Sequence, residues 1–208
     1  MANETVVSTL RHARTTYGAK KLYAGRIDVP LSKEGERDCL RASKRLATME
    51  FDVVITSPQK RALDTTRLMG CKALVSVQCD LCCERGFGAM EGLTSDEVRF
   101  LDPPVLFIEV GNDSHSVNPR GGEPFEDVWE RAKKFARLIF REYGGSRVLV
   151  VSHGVFLQMF HGVLRGSNCI ESLSEYPEHL ELATFRISGH RLVAEERVNL
   201  TPPTADRF

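Results

Sequence analysis

The sequence predicts an α/β fold, a three-layer αβα sandwich with a mostly parallel central sheet. Short β-branched runs alternate with segments of helical periodicity along most of the 208 residues. The run Val148–Val151 is apolar without interruption, which is typical of a strand buried on both faces. Because parallel strands are joined by helical crossovers, we expect helices on both faces of the sheet.

Length and composition predict one domain over residues 1–208. The 28 Lys and Arg residues balance the 28 Asp and Glu residues, so no global field attracts nucleic acid or an acidic membrane. The longest apolar runs, Val105–Ile108 and Val148–Val151, are far shorter than the roughly 18–20 residues of a membrane span. No secretory signal is visible, so we expect a cytoplasmic location. The oligomeric state stays open.

The first predicted elements are strand, helix, strand and helix. Val6–Leu10 predicts a strand, and Val53–Ile55 predicts the second one. Between them a helix is predicted by an apolar stripe at 3–4 spacing, made of Cys39, Leu40, Ala42, Leu46 and Met49. Ser57 suits an N-cap and Pro58 the first helical position, so a helix is predicted to begin at Pro58 and end before Gly70.

The middle of the chain is less regular. Leu74–Val77 predicts a third strand, and Thr94 opens a further helix through a capping-box pattern. Residues 83–88 are predicted to form a loop. Residues 102–122 are rich in Pro and Gly, so we expect them to be irregular.

The last elements complete the alternation. Pro124 is predicted to be the first residue of an amphipathic helix that Gly144 ends. Arg147–Ser152 predicts the most buried strand, and an apolar helix through Leu164 follows it. A closing β-hairpin is predicted at Ala183–Ile187 and Leu192–Val198.

Arginine and histidine residues follow three of the predicted strands. The first strand leads into Arg11 and His12, the second into Arg61, and the most buried strand into His153. Because ligands of such folds bind beyond the carboxyl ends of the strands, we expect a locally cationic pocket there. Guanidinium forks match phosphate oxygens and histidine can be a nucleophile, so the set indicates phosphoryl chemistry. The spacing equally allows turn histidines and surface salt-bridge arginines.

The cysteines do not predict a metal site. Cys79, Cys82 and Cys83 have one pair at metal-like spacing, but no second pair completes four ligands. In the expected cytoplasmic location the thiols would stay reduced.

Five segments carry further motifs, in a characteristic order. They are Leu10–Thr15, Gly25–Gly35, Ser57–Thr65, Glu84–Gly92 and Ser152–Gly154. They resemble, in turn, the RHG signature, the G-x-x-D-x-P-L-[ST]-x-x-G element, the S-P-x-x-R-A-x-x-T helix start, the E-x-x-[FY]-G-x-x-E-G loop and the second-histidine turn of the histidine phosphatase superfamily. This family is also called phosphoglycerate mutase-like, and the resemblance implies its fold.

The resemblance also implies a function: a metal-independent phosphatase of a small phosphorylated metabolite, with no cofactor. His12 would be the nucleophile that becomes a phosphohistidine. Arg11, Arg61 and His153 would hold the phosphoryl oxygens, and Glu84 would be the proton donor. This agrees with in-line phosphoryl transfer, which depends on positioning and on stabilising charge.

Two positions depart from the family pattern, and they bear on the predicted substrate-binding residues. Ala13 replaces a glycine, and Gly18 stands where many members have an asparagine that would contact phosphate. Arg14 or a backbone N–H would then substitute. Arg85 could reach a substrate carboxylate or second phosphate, or form a surface ion pair. We assign Arg14, Gly18 and Arg85 to substrate binding, together with Gly154 of the second-histidine turn.

The remaining histidines are not assigned to the site. We expect His161 to be structural, and His115, His179 and His190 to need no function because they lie in polar or turn-like stretches.

Three alternatives to a phosphatase stay open. One is a cofactor-dependent phosphoglycerate mutase, which the short segment between Glu84 and His153 disfavours because a mutase needs a cover over its pocket. Another is a non-catalytic member that binds a phospholigand. A third is a metallohydrolase with His12, His153 and Glu84 as ligands, which two adjacent arginines disfavour by repelling the cation.

Overall fold

The computed structural model describes residues 4–189 and 191–201. Within these residues the strands are β1 (Thr5–Arg11), β2 (Val53–Thr56), β3 (Val75–Gln78), β4 (Phe107–Val110), β5 (Asp113–Ser116), β6 (Arg147–Ser152), β7 (Glu181–Ser188) and β8 (Arg191–Asn199). The α-helices are α1 (Lys33–Leu46), α2 (Lys60–Leu68), α3 (Ser95–Val98), α4 (Phe125–Tyr143) and α5 (Gly154–Arg165).

The central sheet has six strands in the order β3-β2-β6-β1-β7-β8. Strands β3, β2, β6 and β1 pair in parallel with one another, whereas β7 pairs antiparallel with both β1 and β8. The strands β4 and β5 form a separate two-stranded sheet. The predicted α/β class with a mostly parallel sheet is therefore confirmed.

Helices cover both faces of the sheet because the buried strands alternate apolar side chains between two cores. Val148 and Val150 of β6 pack with residues of α4 and α5, such as Phe135 and Phe156. The intervening Leu149 and Val151 of β6 belong to the other core. That second core also holds residues of α1 and α2, such as Cys39, Ala42 and Ala62. Successive side chains of a strand point to opposite faces, so one apolar run serves both helical layers.

The first helix departs from the predicted stripe at two positions. Cys39, Ala42 and Leu46 are buried in α1, but Leu40 is 55% exposed and Met49 is 39% exposed, beyond the helix end. The helix begins at Lys33, with Ser32 as its N-cap. A stripe counted from residue type alone therefore included apolar side chains that face water.

The packing of α1 explains one glycine of the second motif. Ser32 Oγ accepts a hydrogen bond from Gly35 N over 3.0 Å. A methyl group at Gly35 would overlap the carbonyl oxygen of Arg14. The first turn of α1 thus packs directly on the backbone that follows His12.

The second helix starts later than predicted. Its first residue is Lys60 and not Pro58, and Ser57 is not its N-cap. Instead, Asp28 Oδ1 accepts a hydrogen bond from Lys60 N over 2.6 Å. Asp28, a residue of the second motif, therefore accepts a hydrogen bond from the first backbone N–H of α2. The Ser57 hydroxyl contacts His153.

The segment predicted to be irregular contains a β-hairpin, so that prediction was wrong. Strands β4 and β5 pair from Phe107–Ser116 to Val110–Asp113, and Gly111 turns between them with φ at +65°. The strands are short and polar residues interrupt them, so no clear alternation marks them in the sequence.

The other predicted elements agree closely with the structure. Thr94 and Glu97 form both hydrogen bonds of the capping box at α3. Strand β6 has the predicted bounds, α4 ends before Gly144, and β7 and β8 form the closing hairpin. The third strand lies one residue later than predicted. In the described part of the chain no helix is long and apolar enough to cross a membrane.

Candidate active site

A cavity of about 310 Å³ lies at the carboxyl end of β1. It brings together all of the residues predicted for the site except His153 and Gly154. Those that line it are Arg11, His12, Arg14, Gly18, Arg61, Glu84 and Arg85. The ring of His153 is buried next to this cavity, with its centroid 5.1 Å from that of His12. The predicted convergence of the strand ends is therefore present.

The hydrogen bonds of His12 determine which ring nitrogen carries the proton. Its Nδ1 lies 2.8 Å from the carbonyl oxygen of Ala13, which can only accept, so Nδ1 is the donor. In the neutral ring Nε2 then carries the lone pair. Burial lowers the pKa of His12 well below its usual value, and Arg61 and His153 lower it further. His12 is thus held as a neutral base.

The backbone around His12 is fixed by three segments. His12 N donates to Ser152 O over 2.9 Å, which extends the pairing of β1 with β6. Ala13 N donates to Thr65 Oγ1 of α2 over 3.1 Å. His179 Nδ1 donates to His12 O over 2.7 Å. Neighbouring strands, α2 and the loop before β7 therefore position the ring.

Arg61 and His153 are bonded directly to each other. Arg61 is 1% exposed, and its Nε donates to His153 Nδ1 over 3.1 Å. Its two other nitrogens donate to Ile27 O and Gly25 O. A guanidinium has five N–H groups, so donors remain on both terminal nitrogens. The loop of the second motif orients Arg61 and leaves some of its N–H groups available for a ligand.

The second ring nitrogen of His153 contacts Ser57. Because His153 Nδ1 accepts from Arg61, Nε2 carries the proton, and it donates to Ser57 Oγ over 2.7 Å. Burial and the charge of Arg61 lower the pKa of His153 well below its usual value. Both nitrogens are thus bonded within the protein, and a bond to a phosphoryl oxygen would replace the one to Ser57.

Glu84 lies at the N-terminus of α5. Its Oε1 accepts from the backbone N–H groups of Arg85 and Phe156, at 2.9 and 3.1 Å. Its Oε2 accepts only a longer bond, 3.4 Å, from Val155 N. Peptide dipoles at a helix N-terminus attract a carboxylate. The helix therefore anchors Glu84 through one oxygen and leaves the other less constrained.

Arg11 retains donor capacity within the cavity wall. Its Nη1 donates to Pro177 O over 2.8 Å, and its guanidinium lies over the Tyr176 ring, 4.7 Å from the centroid. Its Nε is buried without a hydrogen-bond partner in the described residues. A buried donor without a partner is costly, and an anionic ligand would relieve that cost.

Arg85 is buried and not a surface ion pair. It is 1% exposed, and its guanidinium lies 3.7 Å from the centroid of the Phe125 ring. Its Nε donates to Glu123 O and its Nη1 to Ser116 O, at 2.7 and 2.8 Å. Its Nη2 is buried and has no partner among the described residues. Arg85 thus ties the β4–β5 hairpin to the loop of Glu84 and keeps one unpaired group at the cavity.

The groups expected to replace the missing asparagine are engaged elsewhere. Gly18 N donates to Thr15 Oγ1 over 3.0 Å. Arg14 forms an ion pair with Asp38, with Nη2 and Oδ2 2.6 Å apart. Ala13 is buried, and its carbonyl oxygen accepts the hydrogen bond from His12 Nδ1. The substrate contacts expected from Arg14 and Gly18 thus remain predictions, because both already have protein partners.

Gly154 has a steric role at the start of α5. A methyl group there would overlap the hydroxyl of Tyr176, which lines the cavity. The second-histidine turn thus needs glycine so that Tyr176 can pack against it.

Several residues around the cavity were given no role in the site from the sequence. Tyr176 and His179 belong to the loop before β7, and His115 belongs to β5. The ring of His179 is 5.3 Å from that of His12, although we expected His179 to have no function. Pro177 and His179 lie just before β7 in the sequence. This position could have indicated that they lie near the cavity. His190 lies outside the described residues.

The expectation for His161 agrees with its position. Its Nε2 hydrogen bonds to Thr9 Oγ1 over 2.7 Å, and its ring packs 4.9 Å from that of Phe185. Burial lowers the pKa of His161 to about 3. It is a neutral core residue.

The described residues contain no group of three or more His, Cys, Asp or Glu side chains placed to hold a metal ion.

Comparisons with known proteins agree on one family. The family model described as histidine phosphatase superfamily (branch 1) matches residues 7–193. Bifunctional protein Rv2228c of Mycobacterium tuberculosis is 37% identical over 86% of this chain and 48% of its own length, so the chain spans about half of that relative. A 2,3-bisphosphoglycerate-dependent phosphoglycerate mutase of Methylorubrum populi is 31% identical over 94% of this chain and 93% of the mutase.

This chain is also similar to a phosphatase and to a solved structure. An acid phosphatase of Mycobacterium tuberculosis is 32% identical over 71% of this chain and 69% of its own. The solved structure of Bacillus stearothermophilus YhfR has a TM-score of 0.77 at 27% identity, and it covers 90% of this chain and 94% of its own.

Proposed function

The chain belongs to the histidine phosphatase superfamily, and we propose that it is a metal-independent phosphatase that hydrolyses a small phosphomonoester through a phosphohistidine on His12. The observation that carries this proposal is the state of His12: a buried neutral ring with its lone pair on Nε2, in a cavity that also holds Arg11, Arg61 and Glu84. A nucleophile, charge-stabilising donors and a carboxyl group are the parts that phosphoryl transfer to an enzyme side chain requires.

In the first step His12 Nε2 attacks the phosphorus atom. The N–P bond forms while the bond to the leaving oxygen breaks. Arg11 and Arg61 donate to the phosphoryl oxygens, and His153 joins them by exchanging its bond to Ser57. Glu84 gives its proton to the leaving oxygen, and we assign that proton to Oε2 because Oε1 already accepts two backbone N–H groups.

In the second step water replaces the leaving group. The Glu84 carboxylate takes a proton from water as the water oxygen attacks the phosphorus atom. The P–N bond breaks, and phosphate leaves with the His12 ring neutral again. Glu84 thus acts first as an acid and then as a base.

The cavity suits a small molecule. Its volume of about 310 Å³ is at the lower end of the range for small-molecule sites, roughly 300–1,000 Å³. We infer that Arg85 Nη2 donates to an anionic group of the substrate, such as a carboxylate. We further propose that the 208 residues form one domain that acts in the cytoplasm on such a metabolite, and not on nucleic acid or a membrane.

A phosphoglycerate mutase is the second candidate, favoured by the 31% identity to a mutase of similar length. The length of the segment after Glu84 therefore does not separate the two activities. Two carboxylates among the lining residues favour a phosphatase: a mutase must hold a bisphosphate, but Asp38 is paired with Arg14, and Asp113 adds a second negative charge. Both reduce the attraction for a second phosphate.

The test supplies 3-phosphoglycerate with a trace of 2,3-bisphosphoglycerate and, separately, a panel of phosphomonoesters. We expect free phosphate from at least one ester and slow interconversion of the phosphoglycerates. Rapid formation of 2-phosphoglycerate with negligible release of phosphate would establish the mutase instead.

A further inference from the structure

A cluster of thiols lies beside the active site and has no part in the proposed hydrolysis. Cys79, Cys82 and Cys83 belong to the loop that leads from β3 to Glu84. Cys82 N donates to Cys79 O over 3.2 Å, which closes a tight turn at Asp80–Cys82. Such a turn brings the Cα atoms of its first and fourth residues within about 7 Å. A disulfide needs about 4.4–6.8 Å between them, so Cys79 and Cys82 are placed to form one.

The two thiols have different environments. Cys79 is partly exposed and Cys82 is fully buried. The neighbouring Cys82 side chain lowers the pKa of Cys79 to about 6, although burial and Asp80 oppose the shift. Burial raises the pKa of Cys82 well above its usual value. An accessible thiolate beside a buried thiol is the arrangement of an attacking and a resolving cysteine.

The turn is also bonded to the elements that hold the active site. Ser152 Oγ, at the end of β6, donates to Cys82 O over 2.7 Å. Arg131 Nη1 donates to both Leu81 O and Cys83 O, each over 2.7 Å. A change in the backbone of this turn therefore reaches both strand β6 and the residue before Glu84.

A side-chain path connects the cluster to the second histidine. Ser57 Oγ lies 3.8 Å from Cys83 Sγ as its donor, and it accepts from His153 Nε2 over 2.7 Å. His153 in turn accepts from Arg61. The Cys83 side chain thus contacts Ser57, and the next residue in the chain is Glu84.

We propose that Cys79 and Cys82 form a reversible redox site that takes a hydroperoxide as oxidant and lowers the activity of the adjacent site. The Cys79 thiolate attacks the terminal peroxide oxygen and the O–O bond breaks, which forms a sulfenic acid on Cys79. The leaving alkoxide or hydroxide takes from water the proton that Cys79 released on ionising, and departs as an alcohol or water. Cys82 Sγ then attacks Cys79 Sγ, the S–O bond breaks, and the hydroxide leaves as water with the Cys82 proton. Two thiols are oxidised by two electrons, and one peroxide is reduced.

The disulfide changes the turn that supports Glu84. Cys82 Sγ must leave its contact with Cys79 O, 3.1 Å away, to bond Cys79 Sγ. The carbonyl groups held by Ser152 and Arg131 belong to the same turn and move with it. A displacement of about 1 Å in catalytic groups can cost up to about a hundredfold in rate, so we expect a loss of about tenfold. Only this effect on activity rests on the proposed phosphatase function.

The first test maps the bond and needs no activity. The full chain is treated with hydrogen peroxide, alkylated, and digested with trypsin and then with a protease that cuts before Asp80. We expect the fragments on either side of Asp80 to stay joined through Cys79, and to separate after reduction by a dithiol. The Cys83→Ser variant should still form the link. Fragments that separate without reduction, or a bond between Cys82 and Cys83, would overturn the proposal.

The second test uses variants and rates. Cys79→Ser should abolish both the link and the loss of phosphate release, whereas the matched Cys169→Ser variant, at another partly exposed thiol, should retain both. In the unmodified chain, alkylation at pH 6.5 should be several-fold faster at Cys79 than at Cys169, whose pKa burial raises. Equal alkylation rates, or complete formation of the disulfide with unchanged phosphate release, would contradict the proposal that this redox site lowers the activity. A chain that forms the link but releases phosphate from no ester would refute the phosphatase and not the thiol pair.

Discussion

Arg61 Nε donates a hydrogen bond to His153 Nδ1 over a distance of 3.1 Å. This contact sets the tautomer of His153 and directs its remaining proton to Ser57, while burial and the charge of Arg61 lower the pKa of the ring. A charged guanidinium and a neutral imidazole therefore act as a unit beside His12, whose own proton is held on Nδ1 by Ala13. The cationic charge of the site resides on arginines, while the nucleophile stays unprotonated.

His12 should carry the phosphoryl group, because its Nε2 is an unprotonated base in the cavity. After brief incubation with a labelled substrate, acid-labile and alkali-stable label should map to His12. The His12→Asn variant should lose at least about 10³-fold in kcat, whereas His115→Gln, at the wall of the same cavity, should still be labelled. Label on a serine, cysteine or aspartate would refute this assignment.

Glu84 should be the general acid, so the effect of removing its carboxyl group on the rate should depend on the leaving group. We expect Glu84→Gln to slow an alkyl phosphate by about 10²–10⁴-fold and p-nitrophenyl phosphate much less, since nitrophenolate needs little protonation. The control is Glu91→Gln, because Glu91 Oε1 accepts from the backbone N–H groups of Arg26 and Phe87 and does not line the cavity. That variant should affect both substrates alike. Equal losses with Glu84→Gln would mean that Glu84 only positions other groups.

Activity should survive removal of divalent metals, because Arg11 and Arg61 can neutralise the phosphoryl charge. Phosphate release is measured after exhaustive EDTA treatment, with a metal-dependent phosphatase treated in parallel as a control. The rate should remain within about twofold of the untreated value, well inside the tenfold change that 1.4 kcal/mol in barrier would cause. Loss of activity that zinc or magnesium restores would support the metallohydrolase alternative.

The free energy of unfolding should fall as the pH drops below about 6.5, where histidines of the unfolded chain take up protons. His12, His153 and His161 have lowered pKa values in the fold, that of His161 at about 3, so the folded state binds fewer protons in this range. Each such group contributes up to about 1.4 kcal/mol per pH unit.

Urea unfolding at pH 7, 6 and 5 tests this effect through the core histidine. The His161→Gln variant should reduce the pH slope by about one proton's contribution. The Thr9→Val variant removes the hydrogen bond to His161 but keeps the ring, so it should be destabilised with an unchanged slope. An unchanged slope in His161→Gln would show that this ring takes up protons equally in the folded and the unfolded state, against a lowered pKa.

The fold class, the strand ends and most of the residues that meet at the cavity could be predicted from the amino-acid sequence alone. Periodicity and capping are local properties, so β6, α4 and the capping box at Thr94 could be predicted from a few neighbouring residues. The meeting of Arg11, His12 and Arg61 followed from one rule, that parallel strands present their carboxyl ends at a common edge.

The hydrogen-bond partners and the protonation of those residues could not be predicted from the sequence, because they depend on contacts between distant segments. Glu84 is bonded to Phe156 N, 72 residues away, and His153 to Ser57, 96 residues away. The β4–β5 hairpin became a cavity wall because Arg85 binds Ser116, which no local pattern indicates. The tautomer of each histidine and the unused donors of each arginine depend on atoms of distant segments that lie within about 3 Å. Only folding brings those atoms together.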